Sequence, residues 1–357
     1  MGFIYGKNLS KQEIMRRVGD ITQIAGAVSA RLDDGRGDGT RIINVKTGSG
    51  LNFTVVPGRG MDICSLDYCG YACSFVSKTG LVNAAYYETD FDGFHRSFFA
   101  GMLTTCGLRN IGASCTDQDE FLGLHGRISN IPAQDVCITN EWIDDTLVMQ
   151  LRGMVRESKL YGENMTLTRE ITARLGENTV RIHDEVENCG FETQPFTILY
   201  HCNFGYPLLD ENSYLVLPDC QVTPRDDAAR QQIDKHCSFQ APENHFPETV
   251  FFLKTDSDKD GNTYAAIFNP ELGLHGLGLV ITYNQKNLPY LVQWKNMGNG
   301  DYVVALEPSN CYPQGRKEIR ENKMLQYLAP GEIRRFDLAF HVVTSREELD
   351  ALCFDRP

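Results

Sequence analysis

Apolar and polar residues alternate with period two along much of the chain, the signature of strands that bury one face. "NTVRIHDEVEN" shows it most clearly. Val180, Ile182, Asp184 and Val186 share one face, while Arg181, His183, Glu185 and Glu187 share the other, so His183 is expected to face solvent. Comparable runs, rich in β-branched and aromatic residues and closed by Gly, Pro or Asp, include "LNFTVVPGRG", "DTLVMQLRGMV", "NMTLTREITARL", "HGLGLVITYN" and "EIRRFDLAFHVV". Turn signals recur about every 8–15 residues, as in sandwiches and barrels. The early exception is helical. Ser10-Lys11-Gln12-Glu13 is a capping box, followed by Ile14, Met15 and Val18 at helical spacing and ended by Gly19. The pattern predicts an all-β chain, one large antiparallel β-sandwich spanning residues 1–357, with residues 1–20 as a helical appendage.

The same alternation sorts two chemically suggestive segments. In "PFTILYHCNF", Phe196, Ile198, Tyr200, Cys202 and Phe204 form an apolar or aromatic face; Thr197, Leu199, His201 and Asn203 form the other. His201 therefore lies off the obvious core face and shares its face with an amide. A structural histidine bonded to a neighbouring carbonyl explains this about as well as a ligand-binding one. In "GDYVVALEPSN", Val303, Ala305 and Glu307 share a face, and Pro308 ends the ladder directly after the carboxylate. A glutamate there is either an ordinary strand exit or a poorly solvated acid whose pKa burial would raise. Two glycine-flanked residues are also candidates: His125 in "LGLHGRISN" and Arg59 in "VVPGRGMDI". Tyr86 to Phe98, "YYETDFDGFHRSF", reads as a long aromatic loop of the kind that lies over binding faces.

Composition narrows the partners. The chain has 357 residues, 42% hydrophobic and 23% charged, enough for a substantial core. A formal net charge of −13 disfavours nucleic acid and anionic membranes, which want a positive surface. The polar first 20 residues lack an apolar signal region, and no apolar run approaches the ~20 residues of a membrane span. Twelve cysteines without CxxC pairs then read as reduced cytoplasmic thiols, and the close trio Cys64, Cys69 and Cys73 as no metal site. "DSDKDG", Asp256 to Gly261, begins like a calcium loop, but the position of the closing glutamate holds Ile267; a hairpin turn explains it better. Nucleophile-elbow and nucleotide-binding motifs are missing.

Taken together, "LHG" at His125, "HCNF" at His201 and "LEP" at Glu307 resemble, in that order, the motifs of the aldose 1-epimerase (galactose mutarotase-like) superfamily. "PGRGMDI" and the closing "PQGRKEIRENKMLQYLAPGE" resemble a bacterial branch of that superfamily with unassigned substrates. The resemblance implies a carbohydrate mutarotase that interconverts anomers by acid/base ring opening, without cofactor or metal. It assigns Glu307 as base and His201 as acid, puts His125 and Arg59 on sugar hydroxyls and Asn203 beside the acid. Trp294 and Lys295 in "LVQWKNMG" stand where an aspartate of familiar mutarotases has no evident counterpart, and Arg109 and Asn110 match an arginine motif only approximately. Arg59, Arg127, Lys295 and Arg109 could instead pair with an acidic sugar. A non-catalytic carbohydrate-binding protein on the same fold is the remaining alternative. The expected partner is a small-molecule sugar, and the chain a monomer or homodimer.

Overall fold

The structure, a computed structural model, describes residues 2–353. Three antiparallel sheets carry most of the chain. An eight-stranded sheet runs, in spatial order, Gln134–Ile143, Thr146–Ser158, Asn164–Arg174, Thr179–Asn188, Ile333–Val343, Leu277–Asn284, Asn262–Asn269 and Tyr214–Val216. A second sheet has the order Thr104–Leu108, Gln194–Phe204, Asp301–Ser309, Tyr290–Gly298, Thr249–Thr255 and Cys220–Pro224. Gln326–Leu328 also pairs with the start of Gln194–Phe204. A five-stranded sheet, Gly26–Arg31 to Tyr71–Ala72, completes the framework. The large antiparallel sandwich expected from the alternation is the observed architecture.

The apolar face of Gln194–Phe204 turns inward. Phe196, Ile198, Tyr200, Cys202 and Phe204 join one core with Leu167, Ile171, Ile182 and Phe340 of the eight-stranded sheet. Buried charge crosses that core. Arg169 bonds Asp184 through Nε (2.8 Å) and Nη2 (2.6 Å) and Asp62 through Nη1 (2.9 Å), and the Tyr200 hydroxyl donates to Asp184 (2.8 Å). All four side chains are fully buried, so losing one partner would leave an uncompensated charge at a cost of about 3–5 kcal/mol. The Ser10–Glu13 capping box forms as read, but the helix is only Lys11–Met15 and follows a small hairpin, Gly2–Ile4 with Lys7–Leu9. Ile4, Ile14 and Val18 join the main core, so this segment is packed onto the sandwich. Asp256 to Gly261 is not a hairpin: it carries the chain from one sheet to the other, with Asp258 accepting the N–H groups of Asp260 and Asn262.

Candidate active site

The outer face of the second sheet carries the site. Leu199 pairs with Ser309 and Cys202 with Leu306, and this register sets His201 opposite Glu307, where Pro308 interrupts the ladder. The row continues from Thr104 through His201, Glu307 and Val292 to Phe252. The adjacent row holds Asn203, Ala305, Trp294 and Val250. His201 Nε2 lies 3.3 Å from Glu307 Oε1. The two residues are 5% and 2% exposed.

Burial sets their electrostatics. It pushes the Glu307 carboxyl well above its usual range, with Glu248 adding repulsion. It pushes His201 well below, with His125 adding to the effect. Each shift favours the uncharged form, so the two groups together make a neutral acid–imidazole pair. His201 Nδ1 and Asn203 Oδ1 are both buried without a well-formed hydrogen bond, although the Asn203 side chain acts on the imidazole and supports its charged form; Asn203 Nδ2 donates to the carbonyls of His201 (2.9 Å) and Gly101 (3.1 Å). Two orphaned polar atoms on one face are what a bound hydroxyl or water would satisfy.

Aromatic rings enclose the imidazole. Phe98, Trp294 and His125 lie 5.1, 5.5 and 5.6 Å from its centroid, all edge-on. Phe94 packs on both Phe98 and His125. The aromatic loop read from sequence therefore covers the catalytic candidates. His125 has a left-handed backbone (φ 57°), rare outside glycine, between Gly123 and Gly126. The Gly112 N–H points at His125 Nδ1 (3.4 Å), which puts the ring proton on Nε2 as a donor. Burial and nearby His95 push this imidazole down to about 3, so it stays neutral.

Two predicted sugar ligands are placed elsewhere. Arg59, which the family resemblance put on a sugar hydroxyl, is fully buried and donates to three backbone carbonyls: Ser129 (2.8 Å), Val82 (2.6 Å) and Ser97 (3.1 Å). It ties the loops beneath the lid together. Lys295 lies on the opposite face of its strand from Trp294, because neighbours alternate. Its Nζ caps the carbonyls of Lys235 (3.0 Å) and Ser238 (2.7 Å), and burial pushes its pKa down to about 8. Arg127 is exposed beside the His125 turn, near enough to Tyr87 and Glu157 to act on both electrostatically. Arg109 pairs with Glu120 (3.0 Å), and Asn110 supports the His125 turn by donating to Gly123 O (2.8 Å).

Sequence reasoning missed Glu248 and Arg225. Trp294 Nε1 donates to Glu248 Oε2 (3.0 Å), and Arg225 pairs with the other oxygen (2.9 Å). Their only signal was strand register, which a single sequence does not give. Among the described residues no group of three or more His, Cys, Asp or Glu is placed to hold a metal ion, and no helix is long and apolar enough to cross a membrane.

A strand-register His–Glu pair on one sheet of a large antiparallel sandwich, under an aromatic lid, places the chain in the galactose mutarotase-like fold. Known structures agree. A Klebsiella pneumoniae protein described as a putative aldose 1-epimerase matches with TM-score 0.85 and 26% identity, over 91% of this chain and 85% of its own. A galactose mutarotase-like protein from Clostridium acetobutylicum gives 0.60 at 16% identity, over 89% and 99%. Galactose 1-epimerase from Lactobacillus acidophilus gives 0.56 at 12%, over 90% and 100%. No curated protein matches by sequence. Over residues 37–342 the chain belongs to the family described as a domain of unknown function (DUF4432).

Proposed function

We propose that the protein is a sugar mutarotase, an isomerase that opens and recloses the ring of a free aldose. The observation that carries this reading is the 3.3 Å approach of His201 Nε2 to Glu307 Oε1 on a buried cross-strand pair. Glu307 as carboxylate takes the proton of the anomeric hydroxyl while His201 as imidazolium gives one to the ring oxygen, and the C1–O5 bond breaks. The aldehyde rotates about C1–C2. Closure on its other face returns both protons, so no atom or electron is gained or lost. Each group is worth about 10²–10⁴-fold in rate. His125 Nε2–H and the free atoms of His201 and Asn203 serve hydroxyls, and the Phe98 and Trp294 rings suit the apolar face of a sugar.

A neutral sugar fits better than an acidic one. Of the four cations that could have met an anionic group, Arg59 and Lys295 are spent on backbone carbonyls and Arg109 on Glu120, which leaves only Arg127, exposed beside the His125 turn. Anomer exchange, followed by NMR over a panel of neutral and acidic free sugars, tests the proposal. Exchange should be fastest with a neutral sugar and collapse in Glu307→Gln and His201→Gln. Variants as active as the wild type would overturn it. Sugar binding by calorimetry without exchange would point to a binding protein instead.

A further inference from the structure

A carboxylate the mechanism does not use is buried behind the site. Glu157 occupies an inward position of Thr146–Ser158, in line with Leu151, Gly153 and Val155, and is 3% exposed. Its Oε2 reaches out of the eight-stranded sheet to accept the N–H of Leu108 at 3.0 Å. Leu108 follows Gly107, and Gly107 grips the His125 turn from both sides. The Gly107 N–H donates to His125 O (3.0 Å), and Gly107 O accepts from Arg127 N (2.9 Å). The fit is tight: a Cβ on Gly126 would lie 2.3 Å from Gly107 O.

We propose that Glu157 is a positioning residue that holds the Gly107–Leu108 backbone and, through it, sets the His125 ring against His201. The role of His125 as a sugar ligand rests on the mutarotase reading; its positioning does not. A left-handed non-glycine residue costs about 1–3 kcal/mol and persists only where its surroundings over-determine it. The Gly107 grip is a large part of that constraint, and Glu157 supports it from the facing sheet. Glu163 opposes the charge of Glu157, while Arg109 and Arg127 support it, and Tyr87 lies close by. Burial is the largest influence and pushes the carboxyl up to about 7. Protonated or ionised, the carboxyl keeps an oxygen that accepts the Leu108 N–H.

The test uses the full-length protein labelled at histidine Cε1, with the His125 NMR signal identified by its loss in His125→Asn. Glu157→Ala should move that signal, and Glu157→Gln, which still offers an acceptor, should largely restore it. In anomer exchange, Glu157→Ala should lower kcat/KM by about tenfold, since a displacement of about 1 Å can cost up to 10²-fold. In a His125→Ala background the same change should cost less than about twofold, because the residue it positions is already gone. Additive losses, or a His125 signal indifferent to Glu157→Ala, would overturn the proposal. Should the alanine variant not fold, Glu157→Met fills the space without an acceptor and must give the same pattern. A wild type that exchanges no anomer would defeat the mutarotase reading, while the NMR signal would still decide the positioning.

Discussion

Replacing Glu157 by glutamine should stabilise the protein above neutral pH and leave it unchanged in mild acid. Burial raises the carboxyl from 4.5 to about 7, after the favourable contributions of the Leu108 N–H, Arg109 and Arg127 are included. A rise of this size is worth about 3 kcal/mol at 1.36 kcal/mol per pH unit. The sign follows from proton binding. Between pH 4.5 and 7 the folded state holds a proton that the unfolded state has lost. The carboxyl's contribution to stability is therefore fully present below about 4.5 and lost as pH rises through about 7. Glutamine occupies nearly the same volume, accepts the same N–H and never ionises. For 357 residues the unfolding entropy is about 0.75 kcal/mol/K, so about 3 kcal/mol corresponds to roughly 4 °C in Tm. Thermal unfolding of wild type and Glu157→Gln at pH 4 and pH 8 measures it. The midpoints should coincide at pH 4, below the unfolded pKa, with the variant about 4 °C higher at pH 8. A difference that does not change with pH would refute the assignment of a neutral, buried Glu157. A carboxylate kept at such a cost is expected where it serves function.

Arg59→Met should lower stability by at least about 3 kcal/mol in denaturant melts, because three buried carbonyls lose their donor at about 1–3 kcal/mol each. Lys295 behaves oppositely to Glu157: with its pKa pushed from 10.5 down to about 8, the stability of wild type relative to Lys295→Met should rise as pH climbs from 8 to 10.5. Phe98→Ala should uncover His201, read as a severalfold faster modification by diethyl pyrocarbonate in mass spectrometry; an unchanged rate would mean that the loop does not guard the ring.

What the sequence revealed was whatever depends on period two. The parity of Phe196 to Phe204 put His201 off the core face, and the parity of Val303 to Glu307 put the carboxylate on a face with Val303 and Ala305. Sheet register makes those two faces one, and register is a long-range property with no local signal. Trp294 and Lys295 were read as a pair, although adjacent strand residues point to opposite faces and only Trp294 reaches the site. Glu157 went unnoticed in the sequence, although it sits at an inward position of its strand. Arg59 was unreadable for a different reason. Its flanking glycines report local backbone freedom, whereas its three carbonyl partners come from loops 23 to 70 residues away. Glu248 and Arg225 meet Trp294 only through the pairing of neighbouring strands, and nothing near them in the chain announces it.

The uncharged form that burial favours for the His201–Glu307 pair bears on how such a site would work. The carboxylate–imidazolium pair and the acid–imidazole pair carry the same number of protons. Ring opening converts the first into the second: Glu307 gains the anomeric proton and His201 gives one up. Burial favours the second. The tautomer that burial favours is therefore the one that meets the open-chain aldehyde, and the ion-pair tautomer is the one that meets the ring. Hydroxyls bonded to His201 Nδ1 and His125 offset part of the cost of the charged form by replacing lost hydration. Since the interconversion neither takes up nor releases a proton, a mutarotase built this way should show a broad pH plateau. Its limbs belong to a second proton added to the pair at low pH, or its single proton lost at high pH. A sharp optimum centred on an ordinary histidine pKa would instead mean that the two groups titrate independently, which the 3.3 Å contact argues against.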